Sequence, residues 1–348
     1  MLKSVNVIGL GLIGGSIASR LTAEGWFVSG VDPVAERQQL ALERGVIAAE
    51  GLRADVQVTF VAVPVSQLEN EVRHALAATT GVVTDVGSVK GPLVHSIEDD
   101  RFLGGHPMAG SELEGLDGAD ATLFEGATWI LTPTSRTPDS VFATVASLAQ
   151  LLGANVLAVS AERHDRLIAM VSHVPHLTAA ALMSLADDRS EEHASLLRMA
   201  AGGFRDMTRI ASSKSGIWLD ICNENREAIV ETLDDFIASL SDVRNVVAKG
   251  DMGSLDTFLV KARAARSNLP ARVKSLEDVV EIRIPIPDRP GAAAEIFTLA
   301  AELNVNLANF EVVHSAEGER GVAIVLVDHA QVDLFRGGLL GRGFRPGR

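Results

Sequence analysis

Residues 5–32, VNVIGLGLIGGSIASRLTAEGWFVSGVD, constrain this chain more than any other stretch. A short apolar run gives way to glycines, then to an amphipathic helical pattern ending at Gly25, then to a second apolar run. That order is one βαβ unit. Gly9, Gly11 and Gly14 form G-x-G-x-x-G. The first glycine permits a tight turn, the second lets the backbone approach a pyrophosphate, and the third lets helix and strand pack closely. The helix start at Leu12 and Ile13 then presents N–H groups to the phosphates. Asp32 ends the second strand about 20 residues beyond the glycines, where a carboxylate accepts from ribose hydroxyls and repels a 2′-phosphate. The spacing predicts NAD over NADP. Two features pull the other way: Asp32 is also an ordinary turn residue before Pro33, and Arg37 is a residue type that accepts the extra phosphate.

Strand-like and helical patterns keep alternating to about residue 160, through VQVTFVAVP, GVVTDVGS, TWILTP and NVLAVS. Such alternation predicts an α/β fold over 1–160, a Rossmann-type doubly wound, mostly parallel sheet with ligands at the carboxyl ends of the strands. GGHPMAGSELEG, 104–115, fits neither helix nor strand by pattern and falls at such an end, as does DVGSVK. From 161 to 267 only helical patterns remain, which predicts an all-helical domain whose apolar faces pair in a homodimer. Residues 268–278 read as a linker. Residues 279–348 read as a small α+β module, with Gly291 at a helix start where backbone N–H groups could hold a carboxylate.

Length and composition exclude several classes. At 348 residues the chain is long for one core, and 47% hydrophobic with 22% charged residues is ordinary for a globular protein. No run reaches the roughly 18 apolar residues of a membrane span, and the N-terminus lacks a signal-peptide pattern, so a cytoplasmic location is expected. A single cysteine, Cys222, agrees with a reducing compartment. The net charge of −14 argues against nucleic-acid and membrane-surface partners.

His106 is the leading candidate for a general base, since an imidazole titrates near pH 6.5 and the flanking glycines leave room for a substrate. Ser88, at the neighbouring strand end, could fix the imidazole tautomer, or could equally cap a helix. His173 and His176 stand three apart on one helical face. No H-E-x-x-H pattern or thiolate accompanies them, so substrate contact or packing is favoured over metal. In GGFRDMTRIASSKSGIW, Arg205 and Arg209 are four apart and share a face if helical. Two guanidinium forks suit a dianion, with Asp206 orienting or neutralising one of them; a solvated charged face is the alternative.

In this order and spacing, GLGLIGGSIA, DVGSVK, GGHPMAGSE, SHVPH and GGFRDMTRIASSKSGIW resemble the prephenate dehydrogenases of tyrosine biosynthesis over roughly residues 1–265. PDRPGAAAEIF and NLANFEV resemble an ACT domain, an amino-acid-sensing ferredoxin-like fold. The resemblance implies NAD-dependent oxidative decarboxylation of prephenate with His106 as base and Ser88 orienting it. It implies Arg209 on a substrate carboxylate and His176 at the substrate's other end. His173, Asp206, Ser213 and Trp218 would shape the pocket, and Ser111 and Glu112 its mouth. It also implies feedback by tyrosine near Gly291 and Asn309. Arogenate, the aminated substrate, stays open, with Glu112 as a partner for its ammonium. A hydroxyacid-type dehydrogenase and a non-catalytic NAD and amino-acid sensor are the rival readings.

Overall fold

The structure is a computed structural model that describes residues 3–111, 113–190, 196–213, 215–267, 279–287, 289, 291–314 and 320–347. The expected linker 268–278 and Glu112 lie outside the described residues, as does the side chain of Asn309. The chain divides into two compact units, 1–251 and 252–348.

The first unit begins with the expected βαβ: β1 (Ser4–Ile8), α1 (Leu12–Ala23) and β2 (Phe27–Val31). It continues through α2 (Ala35–Glu43), β3 (Ala49–Glu50), β4 (Val58–Val61), α3 (Leu68–Ala78), β5 (Val82–Asp85), α4 (Gly91–Ser96), β6 (Phe102–Pro107), β7 (Thr128–Thr132), α5 (Asp139–Leu151) and β8 (Asn155–Ala158). The eight strands form one sheet in the order β3-β2-β1-β4-β5-β6-β7-β8. Every pairing is parallel except β6 with β7. The order reverses beside β1, so the crevice above β1 and β4 is the topological switch point where such sheets bind nucleotides. Val5, Val7, Val58 and Phe60 are fully buried, as strands covered by helices on both faces require.

GGHP of residues 104–107 corrects the expectation of an irregular run, because it is the end of β6, hydrogen-bonded to β7 with His106 opposite Ile130. Its glycines are there for close approach. A Cβ on Gly105 would lie 2.8 Å from the Asp85 carbonyl and one on Gly104 would run into the Thr132 hydroxyl. Of the described residues in this stretch, only 108–111 and 113–115 are loop.

After Ala158 the described residues of the first unit are helical: α6 (Ala161–Ile168), a π turn (Ala169–His173), α7 (Val174–Ser190), α8 (Gly202–Thr208), a 3-10 turn (Arg209–Ser212), α9 (Ser215–Glu224) and α10 (Arg226–Lys249). The helical run 161–189 is long and apolar enough to cross a bilayer, which the sequence pattern did not suggest. It nonetheless carries the buried polar residues His164, Asp165, His173 and His176, engaged with the tip of β6, the start of α4, the Asn225 cap of α10 and Trp218 of the α9 segment.

The second unit holds α11 (Met252–Ser267), β9 (Val279–Pro287), α12 (Ala292–Glu302), β10 (Leu307–His314), β11 (Arg320–Asp328) and α13 (Val332–Gly341). The break at 251 thus separates α11 from the other helices, whereas the sequence pattern runs them together to 267. The three strands make an antiparallel sheet in the order β10-β11-β9. Ile282, Ile284, Ile296, Leu299, Val325 and Phe335 form its own core.

Candidate active site

The glycine turn has the geometry that its sequence spacing requires. Gly9 has φ +89°, the left-handed region that favours glycine, and a Cβ there would run into the Ala62 carbonyl. A Cβ on Gly14 would run into the Gly9 carbonyl, so α1 can sit this close to the turn only without a side chain. A Cβ on Gly11 would meet nothing within 4 Å. The backbone there is open to an approaching group, at the start of α1, whose first N–H groups lack intrahelical partners. These residues fit a dinucleotide pyrophosphate.

Asp32 is buried just after β2. Its Oδ2 accepts the Leu10 N–H at 2.7 Å and its Oδ1 accepts the Val34 N–H at 2.9 Å. Arg37 Nη1 donates to both oxygens at 3.0 Å. Asp32 therefore ties the glycine turn to β2, and Arg37, whose side chain is 35% exposed, is the one movable donor on it.

At the tips of β5 and β6 the ladder ends at Thr84 and Leu103, and side chains take over. Asp85 accepts the Gly87 N–H at 2.8 Å, the Gly105 N–H at 3.2 Å and the ammonium of Lys90. Lys90 also donates to the Gly105 carbonyl at 2.9 Å. Both side chains are fully buried, and burial pulls the Lys90 ammonium below its ordinary value despite the attraction of Asp85. This clamp fixes the strand that presents His106.

His106 is 9% exposed, with Nδ1 2.8 Å from Nε2 of His164 and no protein partner on Nε2 among the described residues. Burial, then the nearby His164, Lys90 and His173, hold its pKa well below 6.5. It is a neutral base at physiological pH. Sequence reasoning gave the orienting role to Ser88, and this is corrected: no hydrogen bond joins Ser88 to the imidazole, whose Nδ1 is occupied by His164.

His164 Nδ1 lies 2.7 Å from Oδ1 of Asp165, and that carboxylate also accepts the N–H groups of Lys90 and Gly91 at 2.9 and 2.7 Å. Asn225 Nδ2 donates to the Asp165 carbonyl at 2.9 Å and to His173 Nδ1 at 3.1 Å. Burial lowers His173 to a pKa of about 4 and also lowers His176. The ring of His176 stacks on Trp218 at 3.5 Å and 7°, while His173 meets the same indole edge-on at 6.1 Å. Lys90, Asp85, His164, Asp165 and Asn225 escaped the sequence reading. Adjacent residues on a helix do not ordinarily face each other, so helical spacing gave no reason to link His164 with Asp165, which here meet at 2.7 Å.

Arg209 and Asp206 are exposed, and the Arg209 turn packs against α7, the helix of His176. The segment that carries Arg205 and Arg209 is helical in two consecutive parts. α8 ends at Thr208, Arg209 opens a 3-10 turn, and Arg205 Nε turns back onto the Ala200 carbonyl at 3.2 Å. Ser213 donates to the Ile210 carbonyl at 3.0 Å, and Ser111 accepts the Leu113 N–H at 3.0 Å, both on the surface. No group of metal-ligating side chains gathers among the described residues.

A nucleotide turn and a buried neutral imidazole on the carboxyl ends of one doubly wound sheet define the class: a nucleotide-dependent dehydrogenase. The family model "Prephenate dehydrogenase, nucleotide-binding domain" matches residues 17–158, and "Prephenate dehydrogenase, dimerization domain" matches 160–261. The chain is 32% identical to the prephenate dehydrogenase of Bacillus subtilis (strain 168) over 92% of this chain and 91% of that one. Its structure resembles prephenate dehydrogenase from A. aeolicus in complex with hydroxyphenyl propionate and NAD+, with a TM-score of 0.73 at 30% identity, over 78% of this chain and 99% of that one. Synechocystis arogenate dehydrogenase matches with a TM-score of 0.68 at 27% identity, over 77% and 100%. The chain belongs to the prephenate dehydrogenase family.

Proposed function

We propose that this enzyme converts prephenate to 4-hydroxyphenylpyruvate and carbon dioxide with NAD, in tyrosine biosynthesis. The observation that carries the reading is His106: buried, neutral, next to the Gly105 backbone that Asp85 and Lys90 clamp, with Nε2 unpaired by protein among the described residues. Bound NAD supplies the hydride acceptor. Gly9, Gly11 and Gly14 with Leu12 and Ile13 hold its pyrophosphate, and Asp32 its ribose. His106 Nε2 takes the ring hydroxyl proton as the same carbon gives up hydride. The ring carboxylate then leaves as carbon dioxide, and aromatisation of the ring drives the step. Arg209 binds a carboxylate, His176 backed by Trp218 contacts the substrate's other end, and His173, Ser111, Asp206 and Ser213 complete the pocket.

The helical region 161–267 serves as a homodimer interface. Ile237, Leu240 and Val247 of α10 are each more than half exposed, an apolar stripe that a partner helix would cover. Residues 279–348 serve as an ACT module that binds tyrosine near Gly291 and Asn309. The order β9-α12-β10-β11-α13 and the left-handed Gly291 at the start of α12 support that role.

The test is NADH formation by purified protein given NAD and either prephenate or arogenate, with and without tyrosine. Turnover of prephenate that tyrosine suppresses is expected. Preference for arogenate would reassign the substrate and give Glu112 its ammonium. Insensitivity to millimolar tyrosine would remove the sensor role, and turnover of neither substrate would overturn the reading.

A further inference from the structure

Asp165 has both carboxylate oxygens committed to donors. Oδ1 accepts the Lys90 N–H and Oδ2 the Gly91 N–H, and a Cβ on Gly91 would lie 2.8 Å from Oδ2, so that approach needs glycine. An ionised carboxylate only accepts, so the 2.7 Å contact with His164 Nδ1 is an N–H donated by the imidazole. With that hydrogen on Nδ1, Nε2 of His164 faces His106 Nδ1 across 2.8 Å and is placed to accept from it. Each link fixes the next. His106 is left with its hydrogen on Nδ1 and its lone pair on Nε2, its own ring nitrogen without a protein partner among the described residues.

From this geometry we infer that Asp165 and His164 are positioning residues that set the tautomer of His106, making Nε2 the basic atom. The inference deepens the reading of His106 as the base and rests on it. One proton moves: the substrate hydroxyl gives it to His106 Nε2. The imidazolium that forms keeps its Nδ1 hydrogen on His164, with the negative charge of Asp165 one ring away, and no proton passes along the chain. Asn225 holds the same segment by donating to the Asp165 carbonyl and to His173. Without His164 the His106 ring loses its Nδ1 acceptor and has no reason to keep its hydrogen there.

The test reads the tautomer itself, by nitrogen-15 NMR of histidine-labelled full-length protein without substrate at about pH 8, above ordinary imidazole titration. His106→Asn assigns the signals. Wild type is expected to show His106 hydrogenated on Nδ1, and His164→Phe is expected to move the hydrogen to Nε2 and lower kcat at least about tenfold with KM within about twofold. A wrong tautomer in a comparable triad costs far more. His164→Gln, which offers an acceptor to His106 and a donor to Asp165, should restore the tautomer and much of kcat. An Nε2-hydrogenated His106 in wild type overturns the inference, as does a His164→Phe protein with unchanged tautomer and kcat. Should His164→Phe not fold, the wild-type and His164→Gln spectra still decide. If His106 has the expected tautomer but wild type turns over no prephenate, the substrate reading falls and the positioning inference stands.

Discussion

His106 and Arg209 serve one substrate in the reading above, yet they sit in opposite surroundings. Around His106, Lys90 and His164 are fully sequestered and Asp85 accepts from three neighbours. Around Arg209, neither α8 nor the following 3-10 turn buries a single residue. The difference follows from the two tasks. A base must be neutral with one tautomer, and burial among fixed dipoles secures both. An arginine that meets an anion arriving from solvent stays at the surface, because burying a guanidinium costs several kcal/mol of lost hydration. The two regions should therefore fail in different ways when cut.

The largest effect is expected at Lys90. Lys90→Met strands the Asp85 carboxylate in a dry site with only backbone donors, and removing one partner of a buried pair costs about 3–5 kcal/mol. Urea unfolding of the variant should show that loss, and a cost below about 1 kcal/mol would mean that the clamp is not structural. His106→Asn should leave stability nearly unchanged and lower kcat roughly 100-fold, about 2.7 kcal/mol of barrier. The pH profile sharpens the contrast. Burial depresses the His106 pKa, and the base works unprotonated, so kcat/KM should hold through neutrality and fall only as pH drops well below 6.5. An acid limb at or above 6.5 would contradict a buried base.

Arg209→Ala comes next. It should raise KM for prephenate about tenfold, near 1.4 kcal/mol, with kcat and unfolding little changed, as expected for an interaction made equally in ground and transition states. A fall in kcat with unchanged KM would place the carboxylate elsewhere and erase the contrast with His106.

The same contrast governs what the sequence disclosed. The glycine turn, Asp32 and the alternation of strands and helices were legible because local spacing encodes them: φ at Gly9, close packing at Gly14, period at β1 and β4. His106 was legible as a residue type in a permissive setting. Its strand was not, since GGHP lacks the β-branched residues that mark strands, and its glycines answer to Asp85 and Thr132, which are distant in sequence. Ser88 looked like the orienting partner because it is a hydroxyl residue at the strand end neighbouring that of His106. The actual partner, His164, lies 58 residues beyond His106, on a helix that only folding brings there.

The smallest expected effect lies at Arg37. Here the guanidinium rests on Asp32 with its side chain 35% exposed, and such partly exposed pairs are worth under about 1 kcal/mol. If ribose hydroxyls replace Arg37 on Asp32 when NAD binds, Arg37→Ala removes a competitor, and KM for NAD should fall, by less than about fivefold. A rise of tenfold or more would mean that Arg37 holds the cofactor directly. The variant also separates NAD from NADP. While Asp32 neutralises it, the guanidinium is not available to a 2′-phosphate, so Arg37→Ala should leave the use of NADP unchanged, whereas Asp32→Ser, which frees the guanidinium, should improve it. Improvement in the first variant instead of the second would reverse the assignment of which residue excludes the phosphate.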